Sequence, residues 1–273
     1  MFYVHKLGKP IIISGIGVHS GEKTTIELSP IDEDKIIFYN KYTDCFIELK
    51  HEYVKNFNST SLISGKCRFH TIEHLMAVIY ILQIKGIIIE TDSEEIPILD
   101  GSGKMFWEKI KKAVISTGKS SDFIKIDKNI IIEDEKGGIA SVKPSEKFII
   151  DYTIEFNHPL IGKQSYIIEL SPEVFENDIV AARTFGFIKD AKSLREKGLA
   201  LGSSYKNTIV LDDYKIINPP LRFKNEFVRH KILDLIGDLS FIRAPVKGYF
   251  KIFKGGHRLH KLLTDKILKN HII

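Results

Sequence analysis

Ile72-Glu73-His74-Leu75-Met76-Ala77-Val78-Ile79-Tyr80-Ile81-Leu82-Gln83 is apolar on nearly every face. A helix of that kind belongs between layers of structure, because each of its faces must be covered. Thr71 precedes it as a cap candidate. Around it the chain reads as short β-branched strands broken by Gly, Pro and Asp, near residues 11–14, 24–28, 35–39 and 87–90. An amphipathic helix over 104–114 is expected after Asp100-Gly101-Ser102. The second half repeats this pattern. It has strands near 123–126, 130–132, 140–142 and 148–156, a hairpin turn at 134–138, and helices near 191–197 and 226–241. Ser116-Thr117-Gly118-Lys119-Ser120-Ser121-Asp122 is small, polar and aperiodic, so it reads as a linker. The expectation is an α+β protein of two similar layered domains, 1–118 and 123–273, each a small sheet with two helices. Strands outnumber crossover helices, which argues against a doubly wound parallel sheet.

A chain of 273 residues with 43% hydrophobic and 27% charged side chains can bury a sizeable core. No segment reaches the roughly 18 uninterrupted apolar residues that a membrane helix needs. Residues 1–10 carry His5, Lys6 and Lys9 without a long apolar run, so a cytoplasmic location is expected. The net charge of +5 comes from scattered lysines, which does not indicate nucleic-acid binding. Cys45 and Cys67 match no thiolate metal motif and are expected to pack as small hydrophobes.

Chemistry concentrates in Arg229-His230-Lys231-Ile232-Leu233-Asp234-Leu235-Ile236-Gly237-Asp238-Leu239. At about 100° per residue, His230, Asp234 and Asp238 share one stripe, so an imidazole and a carboxylate one turn apart can face the same space. Glu73-His74 opens the apolar helix, where a charged Glu is costly unless something compensates it. A metal nearby would do so, and a Glu beside a ligand His suits metal-assisted hydrolysis. His74, His230 and Asp234 with one open position form a catalytic rather than a structural set, better suited to zinc than to calcium or magnesium. Lys254-Gly255-Gly256-His257 presents a further imidazole on a tightly turned backbone. Thr184, in Arg183-Thr184-Phe185-Gly186-Phe187, could donate to a developing oxyanion.

Together these segments resemble the UDP-3-O-acyl-N-acetylglucosamine deacetylases, zinc amidases of lipid A synthesis. The resemblance runs through Ser14-Gly15-Ile16-Gly17-Val18-His19-Ser20-Gly21, Thr71-Ile72-Glu73-His74-Leu75, Glu95-Ile96-Pro97-Ile98-Leu99-Asp100-Gly101-Ser102, Ala182-Arg183-Thr184-Phe185-Gly186-Phe187, residues 229–239 and Gly256-His257. It implies two β-α-α-β layered domains with the site between them, and zinc on His74, His230 and Asp234. It makes Glu73 the general base and His257 the cation that protonates the leaving amine, held by Asp238. Thr184 would polarise the acetamide carbonyl, and Lys231 would touch the substrate. Lys254 would meet the diphosphate and Phe156 the uracil. A β-α-β insert at 185–211 would pass the acyl chain, lined by Phe185, Phe187, Leu194, Leu199, Leu201 and Ile209. The implied partner is an acylated UDP-sugar, and the implied state a monomer. In Phe57-Asn58-Ser59-Thr60-Ser61-Leu62, where some members place a cysteine near the zinc, this chain has Ser59.

Two other readings compete. His70-Thr71-Ile72-Glu73-His74 spells H-x-x-E-H, the signature of a zinc metallopeptidase class in which His70 and His74 would both bind metal. That reading leaves the stripe His230, Asp234, Asp238 unexplained. The other is a non-enzymatic carbohydrate- or nucleotide-binding protein with a structural metal.

Overall fold

The structure, a computed structural model, describes residues 2–56 and 59–270. Its architecture is α+β, built on two sheets with one strand plan. In the first, Ile11–Ile16 pairs antiparallel with Lys23–Pro30, which pairs antiparallel with Ile87–Thr91. Ile87–Thr91 then runs parallel to Ile36–Asn40, which closes antiparallel on Cys45–Glu48. In the second sheet Ile130–Glu133, Ile139–Lys143, Val246–Phe253, Phe148–Glu155 and Lys163–Glu169 repeat that order with the same senses. The central strand of each sheet comes last in sequence and lies between two helices. These are α1 (Glu73–Ile81) and α2 (Lys104–Lys111) in the first half. A short helix α3 (Ile188–Glu196) intervenes, and α4 (Glu226–Leu239) and α5 (His257–Asn270) serve the second half.

Every residue of α1 is buried, as its uniformly apolar sequence requires. Its first turn lies against α4 at backbone contact. A Cβ on Gly237 would stand 2.2 Å from the Glu73 carbonyl oxygen, so only glycine permits the approach. Glycine inside a helix costs roughly 1 kcal/mol relative to alanine. Here that cost brings the first turn of α1 beside the polar stripe of α4, and the site forms where they meet.

Several sequence expectations need correction. Residues 116–120 are not an aperiodic stretch, because Val114–Ser120 forms a strand antiparallel to Tyr3–Leu7. That ribbon is exposed along most of its length, so nothing imposes the apolar alternation by which a strand is recognised. The same strand ends the helix expected over 104–114 at Lys111. Thr71 does not cap α1; it sits at φ 57 and donates its hydroxyl to Glu95 at 2.9 Å. His257 is not on an open turn but begins α5, whose buried Leu259, Leu263 and Ile267 recur at helical spacing. Cys45 and Cys67 are joined in a disulfide with Cα atoms 5.3 Å apart, a pairing hidden in sequence because the two lie on different hairpins. Among the described residues no helix is long and apolar enough to cross a membrane.

Candidate active site

Three donor groups converge where α1 meets α4. His74 comes from the first turn of α1, and His230 and Asp234 stand one turn apart on α4. Asp234 Oδ1 lies 3.5 Å from His74 Nε2 and 3.4 Å from His230 Nε2. Both separations are long for hydrogen bonds. They match the spacing of about 3.3–3.4 Å between ligand atoms on a tetrahedral ion with arms of about 2.0–2.1 Å. All three side chains are buried. His230 Nδ1 faces the Ala182 carbonyl at 3.1 Å, which fixes its proton there and turns the Nε2 lone pair inward. Burial, against the pull of Asp234, pushes His230 down to about 4, so it is neutral as a ligand must be. Burial opposes the Asp234 charge too, but His230 and Lys231 outweigh it and hold the carboxyl well below the usual carboxylate range. Lys231 donates to Asp234 Oδ2 at 3.0 Å, leaving Oδ1 for the two imidazoles. The donor set and its spacing therefore suit a divalent metal.

Beside this triad Asp238 organises a hydrogen-bonded hub. It accepts from His257 Nδ1 at 2.8 Å, from His260 Nδ1 at 2.7 Å and from the Thr60 hydroxyl. His260 Nε2 accepts in turn from the Tyr152 hydroxyl at 2.8 Å. Protons bridge each of these pairs, so Asp238, His257 and His260 form a relay of hydrogen bonds rather than a second metal set. With Nδ1 committed to Asp238, His257 Nε2 stands 3.8 Å from Glu73 Oε1 and 4.0 Å from Asp234 Oδ2. Burial works to discharge His257, yet Asp238, Asp234 and Glu73 together raise it to about 9. Glu73 is raised by burial, with the neighbouring His257 and His74 pulling the other way. Its Oε2 accepts the Thr60 backbone N–H at 3.0 Å, which leaves Oε1 on the His257 side.

Thr60, His260 and Tyr152 are polar site residues that sequence reasoning missed. Thr60 ties the Glu73 carboxylate to the Asp238 hub, through its amide on one side and its hydroxyl on the other. Thr60→Val keeps the shape and the amide but removes the hydroxyl from a buried carboxylate. A stability loss of about 1.5–3 kcal/mol is expected by denaturant titration, with metal content unchanged and kcat lowered through a misplaced His257. Glu226 was also missed: fully buried, it accepts from the Arg183 backbone and guanidinium and from the Arg222 amide. It thereby fastens the Ala182–Thr184 segment to the start of α4.

Thr184 follows, half-buried, its amide on the Gly101 carbonyl at 2.8 Å. Phe185–Phe187 and Ile209–Leu211 pair in parallel with α3 between them, which makes 185–211 a β-α-β unit. The Phe185 ring lies 6.3 Å from the His230 ring and 5.0 Å from Phe227, while Phe156 packs on both Phe185 and Phe187. Leu194 is half-buried and Leu201 is 50% exposed. Lys254 is exposed and pairs with Glu155 at 2.5 Å. His70 lies outside the metal triad and before α1 begins, hydrogen-bonded to the Ser61 hydroxyl at 2.8 Å. Ser59 is buried, while Phe57 and Asn58 lie outside the described residues.

A family model described as UDP-3-O-acyl N-acetylglycosamine deacetylase (LpxC) matches residues 5–269. The chain belongs to this family. Curated relatives named UDP-3-O-acyl-N-acetylglucosamine deacetylase include one from Nautilia profundicola, 42% identical over 95% of this chain and 90% of the relative. Another, from Thermodesulfovibrio yellowstonii, is 43% identical over 95% and 89%. A third, from Helicobacter hepaticus, is 41% identical over 94% and 87%.

Proposed function

We propose that the chain hydrolyses the N-acetyl amide of UDP-3-O-acyl-N-acetylglucosamine, releasing acetate and a free amine in lipid A biosynthesis, with zinc on His74, His230 and Asp234. The observation that carries this reading is the placement of two groups of opposite task on one small space. Glu73 Oε1 can take a proton as a carboxylate, and His257 Nε2, 3.8 Å away, can give one as an imidazolium. Zinc held by the triad would supply Lewis acidity toward the acetamide carbonyl and toward the attacking water.

The protein groups do the rest. Glu73, anchored through Oε2, accepts the proton of the attacking water. His257, kept protonated by Asp238, donates to the amine nitrogen as the C–N bond breaks. Thr184 donates to the carbonyl oxygen, and Lys231 makes a substrate contact next to the triad. Phe156 would stack on the uracil and Lys254 would meet the diphosphate. The 185–211 insert, with Phe185, Phe187, Leu194 and Leu201, would take the acyl chain. A cytoplasmic monomer belongs to the same proposal and rests on the family resemblance. The test is to incubate purified protein with the acylated UDP-sugar and measure acetate and primary amine together. Equal yields of the two are expected; cleavage of a peptide substrate without sugar deacetylation would favour the metallopeptidase instead.

A further inference from the structure

Glu95 is a carboxylate only 4% exposed that no step of the proposed reaction uses. Burying it requires donors, and it has four. Its Oε1 accepts the His19 amide at 2.9 Å and the Thr71 hydroxyl at 2.9 Å. Its Oε2 accepts the Ser20 amide at 2.8 Å and the Ser20 hydroxyl at 2.7 Å. The loop so anchored reaches across to the insert. Leu201 donates its amide to the His19 carbonyl at 3.0 Å, and Gly202 donates to Val18 at 3.1 Å. Two glycines make this stack possible. A Cβ on Gly17 would sit 2.2 Å from Glu95 Oε2, and one on Gly202 would sit 2.1 Å from the Gly17 carbonyl oxygen. Carboxylate, loop and insert are thus pressed into three successive layers without room for a methyl group. His19, Ser20 and Glu95 on one side and Gly198 and Leu199 of the insert on the other help wall a cavity of about 550 Å³.

We infer that Glu95 is a positioning residue that sets acyl-chain specificity by latching residues 17–21 of the first half onto the 199–202 edge of the insert. The ligand class it serves is a long-chain fatty acyl ester, and the inference rests on the proposal that the insert receives that chain. Glu95 acts on the insert through the loop it anchors, whose Val18 and His19 carbonyls accept from Gly202 and Leu201 and whose Gly17 and Gly21 pack on the same edge, so releasing the carboxylate frees the insert edge while leaving the metal triad and the Asp238 hub intact. Thr71 gives the latch a second hold, two residues before Glu73.

The test compares kcat and KM for two substrates, UDP-sugar carrying a long 3-O-acyl chain and the same sugar carrying 3-O-acetyl. Wild type, Glu95→Gln and Gly202→Ala are measured in parallel. Glu95→Gln turns an amide N–H₂ toward donors that need an acceptor, and Gly202→Ala wedges the insert away without touching Glu95. In both variants the long-to-short ratio of kcat/KM is expected to fall at least about tenfold, the worth of roughly two buried methylenes, through KM for the long chain. Turnover of the short substrate should be retained. Gly202→Ala keeps the question answerable if Glu95→Gln fails to fold. An unchanged ratio in the variants, or an equal loss of kcat on both substrates, overturns the latch. A wild type with no preference for the long chain would instead overturn the acyl-insert reading on which the latch stands, so the two failures are distinct.

Discussion

Asp234→Ala is expected to empty the metal site and to lower kcat/KM by more than the roughly 10–100-fold that losing a partner behind a ligand costs. Asp234 is the only anion of the triad, and its Oδ1 is the atom common to the two imidazole contacts, at 3.5 and 3.4 Å. Without it two imidazoles remain with no carboxylate beside them, and the part-buried Lys231 ammonium loses its partner at 3.0 Å. Both effects disfavour a cation. His230→Ala should empty the site as well. His70→Ala should keep both metal and most turnover, because His70 is engaged with Ser61 rather than with the triad. Elemental analysis of the three variants decides between the readings. A metal-free His70→Ala beside a metal-loaded Asp234→Ala would require the H-x-x-E-H assignment.

His257→Gln is expected to slow turnover by roughly two to four powers of ten, the usual range for losing an acid catalyst, without changing metal content. It should also remove one limb of the pH profile. The free enzyme needs Glu73 deprotonated and His257 protonated, so kcat/KM rises with pH through the Glu73 titration and falls through that of His257. Glu73 is raised by burial in the metal-free site, and a metal on the triad, favouring the ionised carboxylate, draws that acidic limb back down without changing its sense. His257 is raised from 6.5 to about 9, with Asp238 as the main favourable cause overcoming burial. A metal on the triad repels the imidazolium and draws that limb below 9 while leaving its sense unchanged. The same shift has a consequence for folding. A group raised in the folded state contributes stability below its unfolded value of 6.5, and that contribution is lost as pH rises toward 9. The metal-free protein should therefore lose stability across that window, and His257→Gln should lose this part of the dependence. A His257→Gln enzyme with both limbs and near-normal turnover would remove the residue from the mechanism.

What could be seen in sequence was what a single helix holds. His230, Asp234 and Asp238 fall on one stripe because 3.6 residues make a turn, and Glu73-His74 stands out because charge is rare in so apolar a helix. The duplicated α+β plan followed from the alternation of short strands and helices. Hidden from view was what several elements assemble. Thr60, His260 and Tyr152 come from a short strand, α5 and the second sheet, and each is an unremarkable residue until the fold brings it to Asp238 or to His260. Helix α5 was missed because Gly255-Gly256 drew attention to a turn, although Leu259, Leu263 and Ile267 carried the helical period. Glu95 lies in a segment that carries the family resemblance, but its burial depends on four donors from two other segments of the chain.

The central claim is that this chain removes the N-acetyl group of an acylated UDP-sugar by means of a metal on His74, His230 and Asp234. Mass spectrometry of the sugar tests it most directly, after incubation with protein as purified, protein stripped by a chelator, and stripped protein resupplied with zinc. The account predicts loss of one acetyl group in the first and third reactions and intact substrate in the second. Deacetylation that persists without metal, or intact substrate after incubation with fully zinc-loaded protein, would contradict it.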